Sequence, residues 1–547
     1  MNDRIPAGGQ LPPSPVPPQS GQALARSASL IGATTLTSRV LGLIREQVMA
    51  YLFGAGNATD AFNVAFRIPN LVRDLFAEGA MSAAFVPTFT RVLADGGRAA
   101  AWRLGSQVVN ALLVTTGVAV VLGVVFAQPL LMVFAGDYAA IPGKLELTVT
   151  LTRVMLPFLI LVSLAAASMG MLNSLNRFFV PALAPAVFNV CSIVTTLLLL
   201  PVLSRLGVAP ILAMAIGVVI GGCGQVAIQW PQLRREGFQY EPRLDIHDPA
   251  LRQVLILIGP GVLGLAATQI NIFVNTWLAT GVGTGAVSWL NYAFRLMYLP
   301  LGLFGVSVAT VSVPAIARRA AAGDVDGIRH AVCSGVSLML ALTIPASFGL
   351  ILLARPIVAL LFERGHFLPS DTAATAAALS CYAIGLAGYS IIKVATPTFY
   401  ALGESRTPVV VSAATVLTNA VVNSLLVRRF GFQGLAFGTS IAALANAATL
   451  LWLLRRRLGG LEEARLAGLA GRALAAGAAT AVTAWAVERG LDALLPGHGV
   501  AIQALRVGSA IGGGLAVLAV LAHVMRIEEL NDAARAIVRR LHPDPDA

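Results

Sequence analysis

Apolar residues run along this chain in long blocks, each close to the ~20 residues that carry a helix across a hydrocarbon layer. Short breaks carrying arginine, glycine and proline separate them. The pattern predicts helical spans near 28–53, 61–90, 104–135, 146–172, 180–203, 208–230, 251–279, 285–316, 328–361, 373–401, 408–427, 433–454, 466–487 and 500–525, fourteen in all. Residues 1 to about 25 lack an apolar core and are rich in Pro, Gly, Ser and Gln, which predicts a disordered cytosolic tail, not a signal peptide. Residues 526–547 read as a second cytosolic tail.

The blocks repeat. Asn63-Val-Ala-Phe-Arg67 recurs as Asn291-Tyr-Ala-Phe-Arg295, Pro87 and Arg91 as Pro314 and Arg318, Ala127-Gln-Pro129 as Ala354-Arg-Pro356, and Arg205-Leu-Gly207 as Arg429-Phe-Gly431. All four matches share an offset of 224 to 228 residues. The fold class expected is therefore an all-α polytopic membrane protein with two six-helix lobes, 26–235 and 245–458, related by a parallel internal repeat. Two extra C-terminal helices at 465–525 fall outside it. The interface between such halves is where transporters usually hold their cargo.

Composition narrows the class. Of 547 residues 57% are hydrophobic and 12% charged, about half the charged share of a soluble domain. An aqueous enzyme and a disordered scaffold are both excluded. The net charge of +12 comes almost wholly from arginine; Lys144 and Lys393 are the two lysines. These cations sit in breaks between apolar blocks, as topology-setting charge does, so nucleic acid is not an expected partner. Arg91, Arg98, Arg103, Arg177, Arg234, Arg235, Arg318, Arg319, Arg329, Arg406 and Arg455–Arg457 fall in alternate loops. The intervening loops carry chiefly Arg205, Arg364, Arg428 and Arg429, which predicts both termini in the cytosol. Cys191, Cys223, Cys333 and Cys381 have neither disulfide nor metal-ligand spacing, and no metal site is expected. Gly143-Lys144 is followed by Leu145, so no phosphate-binding loop for ATP occurs, and no cofactor is expected. Membrane potential or an ion gradient is left as the energy source.

Some polar residues do not belong in lipid. Ser38-Arg39 and Arg45-Glu46 interrupt the first span, and Asn63, Arg67, Asn70 and Asp74 fall at i, i+4, i+7 and i+11 of the second, with Glu78 continuing the stripe. An ionisable residue at mid-membrane costs about 2.5–3.5 kcal/mol on insertion scales, so the stripe must face protein or a watery cavity. Internal ion pairs, Arg39 with Glu46 or Arg73 with Asp74, are the competing explanation for several of them. The second copy contributes Ser288, Trp289, Asn291 and Arg295. Guanidinium groups in excess point to a phosphate-bearing ligand, because the planar fork binds phosphate oxygens in pairs and stays charged. Lys393, in an apolar run, is either a snorkelling lysine or a cavity cation.

Ser38-Arg-Val-Leu-Gly-Leu-Ile-Arg45, Gly54-Ala-Gly56, Thr59-Asp-Ala-Phe62, Arg67-Ile-Pro-Asn70, Phe76-Ala-Glu-Gly79 and Ala84-Phe-Val-Pro87 closely resemble the MurJ/MviN family of bacterial lipid II flippases. The resemblance extends to Val287-Ser-Trp-Leu290, Arg295-Leu-Met297, Lys393, Tyr400 and Thr407-Pro408. It implies a V-shaped transporter, not an enzyme, that moves undecaprenyl-pyrophosphoryl-MurNAc-pentapeptide-GlcNAc across the bacterial inner membrane for peptidoglycan synthesis. It further implies that Arg39, Arg45, Arg73 and Arg295, with Ser38, Asn70 and Ser288, bind substrate, and that Asp60, Glu78 and Lys393 serve gating or ion coupling. Lipid II and membrane lipids are the implied partners, with proteins of peptidoglycan synthesis and division. The last two helices become a groove for the lipid tail. Phe294 and Tyr298 stand where many family members carry Asp and Glu, which leaves the acidic partner of Arg295 missing or supplied elsewhere. The alternatives are a superfamily exporter of drugs or another polyprenyl-linked glycan, or an integral-membrane enzyme acting on polyprenyl-linked precursors.

Overall fold

The structure, a computed structural model, describes residues 21–74, 84–497 and 499–531. Among them there is helix and no strand. Eight helices form a first bundle: α1 Gly21–Phe53, α2 Asn57–Arg73, α3 Val86–Val125, α4 Ala127–Ala135, α5 Lys144–Met155, α6 Phe158–Ser174, α7 Phe179–Arg205 and α8 Leu212–Arg235. Eight more form a second: α9 Pro249–Thr280, α10 Ala286–Pro300, α11 Val306–Ala321, α12 Val325–Leu352, α13 Ala354–Phe362, α14 Pro369–Ile384, α15 Leu386–Ala401 and α16 Arg406–Arg457. Helices α17 Glu463–Leu494 and α18 Val500–Val524 pair with each other and lean on α12 and α13.

The repeat read from sequence is carried into the backbone. Helices α4 and α13, which begin at the matched Ala127 and Ala354, are nine residues each. Gly97, inside α3, and Gly323, after α11, are both left-handed, at φ 70 and 69. Gly207 (φ 68) turns α7 into α8, and its counterpart Gly431 (φ 54) breaks α16 into two runs.

Each apolar block predicted above overlaps helix. The block at 61–90 is divided between α2 and the start of α3, with 75–83 outside the described residues. By length and apolarity nine stretches of the described residues can cross a membrane, two of them joining α5 with α6 and α10 with α11, and ten if α14 and α15, bent by 42°, count as one further span. That criterion does not reach fourteen. Helix α2 has 17 residues and carries Asp60, Arg67 and Arg73, and α16 is one helix with two runs.

Two physical devices hold the bundles. Close helix approach comes from small residues: a Cβ on Gly221 of α8 would lie 2.7 Å from the Phe188 ring and 2.8 Å from its carbonyl, so only glycine lets α7 and α8 meet there. Helix starts are capped by acids. Asp248 Oδ1 accepts from Ala250 and Leu251 N–H at 2.8 and 3.0 Å, and Asp324 Oδ1 from Gly327 N–H at 2.8 Å. The outer faces stay apolar: Val114, Val118, Val121 and Val125 of α3 are all more than half exposed, which suits lipid and not water.

Candidate substrate cavity

A cavity of about 730 Å³ lies between the two bundles. The first bundle lines it with Arg39, Arg45 and Glu46 of α1 and Asn63, Phe66, Arg67, Asn70 and Arg73 of α2. The second contributes Asn271 and Asn275 of α9, Asn291, Phe294, Arg295 and Tyr298 of α10, Lys393 of α15, and Thr415, Thr439 and Asn446 of α16. Among the described residues, five arginines and one lysine thus face a single lining carboxylate, Glu46. The i, i+4, i+7 spacing on α2 is what turns Asn63, Arg67 and Asn70 to the same side.

Glu46 bridges the bundles. Its Oε1 accepts from Arg45 Nη2 at 2.9 Å and pairs with Arg295 Nη1 at 3.1 Å. Arg295 Nε also donates to Asn291 Oδ1 at 2.9 Å, and Asn291 Nδ2 donates to Asn63 Oδ1 at 3.2 Å. Asn63 and Asn291 are repeat-related, so the two copies of one motif touch across the interface. Asn63 Nδ2 continues the chain to Ser288 Oγ at 3.3 Å, and Ser288 Oγ donates to Asp60 Oδ1 at 2.7 Å. Nε of Arg45 and Nε of Arg67 are buried without a hydrogen-bond partner, which leaves donor capacity at the cavity wall for an anionic ligand.

The expected site residues fall into three groups. Arg39, Arg45, Asn70, Arg73, Arg295 and Lys393 line the cavity. Arg39 and Lys393 are exposed there and make no ion pair among the described residues. Arg39 lies against the backbone of Gly302, in the wide π turn Leu301–Gly305 between α10 and α11, where a Cβ would collide with its Nη1. Arg73 holds Asp74 through Nε and Nη2, at 3.1 and 2.9 Å, the ion pair weighed above as the alternative.

The second group lies off the cavity. Ser288 is fully buried with its hydroxyl committed to Asp60, and Asp60, equally buried, pairs with Lys144 at 3.0 Å. Ser38 is half-buried, and its carbonyl accepts from Asn189 Nδ2 at 3.3 Å. None of these three is among the lining residues; the Ser288 hydroxyl is turned to Asp60 and Asn63 of α2, and the Ser38 backbone carbonyl meets Asn189 of α7. Glu78 lies outside the described residues.

Sequence reading missed the partner of Arg295. The acid comes from Glu46 of the other bundle, while Phe294 packs edge-on against Tyr382 and Tyr389 and beside Tyr298. It also missed the amide wall of the second bundle. Asn275 Oδ1 accepts from Asn419 and Asn423 Nδ2 at 2.9 and 2.7 Å, and Asn419 also donates to Asn271. The i, i+4 pairs Asn271/Asn275 and Asn419/Asn423 were the available signal.

The sequence profile of the family described as lipid II flippase MurJ matches residues 49–498. The chain belongs to that family. A relative from Vibrio cholerae serotype O1, named a probable lipid II flippase MurJ, is 36% identical over 434 residues, covering 78% of this chain and 82% of its own. A solved structure of lipid II flippase MurJ in an inward closed conformation superposes with a TM-score of 0.75 at 25% identity, over 92% of this chain and 99% of that one. An inward-facing multidrug transporter of the MATE family, at 14% identity and TM-score 0.67 over 79% of this chain and 98% of that one, shares the fold. Family membership makes the chain a multi-pass transporter of the bacterial inner membrane and not an enzyme.

Proposed function

We propose that this chain is a lipid II flippase, carrying undecaprenyl-pyrophosphoryl-MurNAc-pentapeptide-GlcNAc from the inner to the outer leaflet for peptidoglycan synthesis. One observation carries the reading: among the described residues, five arginines and a lysine line a cavity between two bundles with one carboxylate, Glu46, and even with Asp74 paired to Arg73 behind the wall the cations stay in excess. That excess suits a diphosphate. It opposes a cationic drug, which would need acids in the wall.

Arg45 and Arg295 exchange the Glu46 carboxylate for diphosphate oxygens, each guanidinium offering paired N–H donors, while Arg39, Arg67, Arg73 and Lys393 add positive field. Buried cations compensated by the ligand lower the cost of holding a dianion away from water. The asparagine and threonine wall offers neutral partners to sugar and peptide groups. The lipid tail stays in the bilayer, along the α17–α18 groove. The bundles then rock about the bound headgroup, and the contacts of Asp60 with α10 open on the far side. With both termini cytosolic, as the arginine asymmetry supports, an inside-negative potential acts on each net charge moved by about 2.3 kcal/mol per 100 mV. No ATP is consumed, and proteins of peptidoglycan synthesis and division are the expected neighbours.

Binding to purified protein tests the reading. Lipid II should bind more tightly than undecaprenyl phosphate, and Arg45→Ala or Arg295→Ala should erase the difference; equal binding of both lipids by the unaltered chain would contradict headgroup recognition.

A further inference from the structure

Lys144 is almost wholly buried at the start of α5, a costly place for an ammonium group. Its Nζ lies 3.0 Å from Asp60 Oδ2 and 4.0 Å from the centroid of the Tyr138 ring. The Asp60 carboxylate is shared. Its Oδ2 also accepts from Gly285 N–H at 2.7 Å, and its Oδ1 from Ser288 N–H at 3.0 Å and Ser288 Oγ–H at 2.7 Å. Gly285 precedes the first turn of α10, at φ 90. An acid of the first bundle therefore caps a helix of the second, where the unpaired N–H groups and the positive end of the helix dipole favour an anion.

The two sets of partners differ in what happens when the bundles part. The α10 donors leave with the second bundle. Lys144 cannot, because α5 packs on α2 within the first.

We infer that Lys144 is a positioning residue of the outer gate: a counter-ion that travels with Asp60, keeps its carboxylate charged and aimed at the α10 N-terminus, and so sets the balance between closed and open bundles. The inference rests on the alternating-access reading above and deepens it. Without Lys144, the closed state holds a buried carboxylate facing only dipoles, while the open state lets water reach it. Without Asp60, the closed state holds a buried ammonium with no anion. Either loss favours opening. Loss of both charges removes both penalties; an asparagine at 60 keeps one oxygen for the Ser288 donors and gives up the acceptor of Gly285 N–H.

The test is a distance measurement between spin labels at Ala139 and Leu368 in a chain whose four cysteines are replaced by alanine. Both positions are exposed; one neighbours Tyr138, the other immediately precedes α14, whose Asp371 accepts from Trp289 of α10. Lys144→Met and Asp60→Asn should each lower the closed-to-open ratio by about 100-fold or more, the scale on which splitting a buried pair acts. Lys144→Arg should stay near the unaltered chain, and Lys144→Met/Asp60→Asn should return to within about tenfold of it, a rescue that lost packing would not produce. Unchanged distances in both single variants, or a double variant no more closed than either single, would overturn the inference. Should Lys144→Met fail to accumulate, Asp60→Asn against the double variant decides by the same criterion. An unaltered chain whose separation never changes, with or without lipid II, overturns alternating access and the inference with it. A chain that switches normally with Lys144→Met overturns the role of Lys144 alone.

Discussion

Replacing Glu46 with glutamine removes the carboxylate that Arg45 and Arg295 share. Glu46 holds Arg45 at 2.9 Å and Arg295 at 3.1 Å, with side-chain exposures of 5% for Glu46, 9% for Arg45 and 40% for Arg295. The Arg45 side is buried, and removing one partner of a buried pair costs about 3–5 kcal/mol. Glutamine keeps an oxygen for one guanidinium N–H, and the exposed Arg295 side is screened by water, so about 2 kcal/mol is the sensible expectation. That cost falls on the empty state. A bound diphosphate supplies the missing negative charge, so Glu46→Gln should bind lipid II more tightly, by up to about 30-fold at 1.4 kcal/mol per decade. Undecaprenyl phosphate, with less charge to offer, should gain less. Transport should nevertheless slow, because the returning empty chain loses its bridge between bundles. Titrating labelled lipid II into purified protein, with thermal unfolding of the empty form measured in parallel, checks both halves. Unchanged or weaker lipid II binding by Glu46→Gln, together with unaltered stability, would refute the idea that this carboxylate stands in for the substrate.

Three further outcomes are expected. Arg45→Ala, Arg73→Ala and Arg295→Ala should each abolish growth of cells depleted of their own flippase while membrane levels of the protein stay normal; growth in all three cases contradicts a cationic substrate cavity. Arg205→Ala and Arg428→Ala, at the end of α7 and just before the Gly431 break of α16 and away from the cavity lining, should leave complementation intact, and lethality would contradict the proposal that both termini are cytosolic. Gly221→Ala should lower stability by about 1–3 kcal/mol through overpacking between α7 and α8, seen as a lower melting temperature in detergent, with substrate preference unchanged.

Much of the architecture is legible in the sequence because bilayer physics leaves few choices: apolar blocks of the right length become helix, and paired motifs at offsets of 224 to 228 residues become paired bundles. The α2 stripe was legible for the same reason, since helical spacing alone turns Asn63, Arg67 and Asn70 together. What resisted were partnerships between distant segments. Glu46 invited pairing with Arg39 on its own helix, yet it pairs with its neighbour Arg45 and with Arg295 across the interface. Asp60 and Ser288 were separately noticed, but that they meet, and that Lys144 completes the set, depends on how α2, α5 and α10 pack. Span number was the weakest reading. Charged, short or broken helices such as α2 and α16 are membrane elements only in the company of the rest.

Leaflet accessibility of labelled lipid II in vesicles containing only this protein tests the central claim most directly. Lipid II placed in one leaflet should become accessible from the other in a protein-dependent manner, and Arg45→Ala or Arg295→Ala should return the signal to that of empty vesicles. Equal transfer by the intact chain and the arginine variants, or none by the intact chain across a range of membrane potentials, would contradict it.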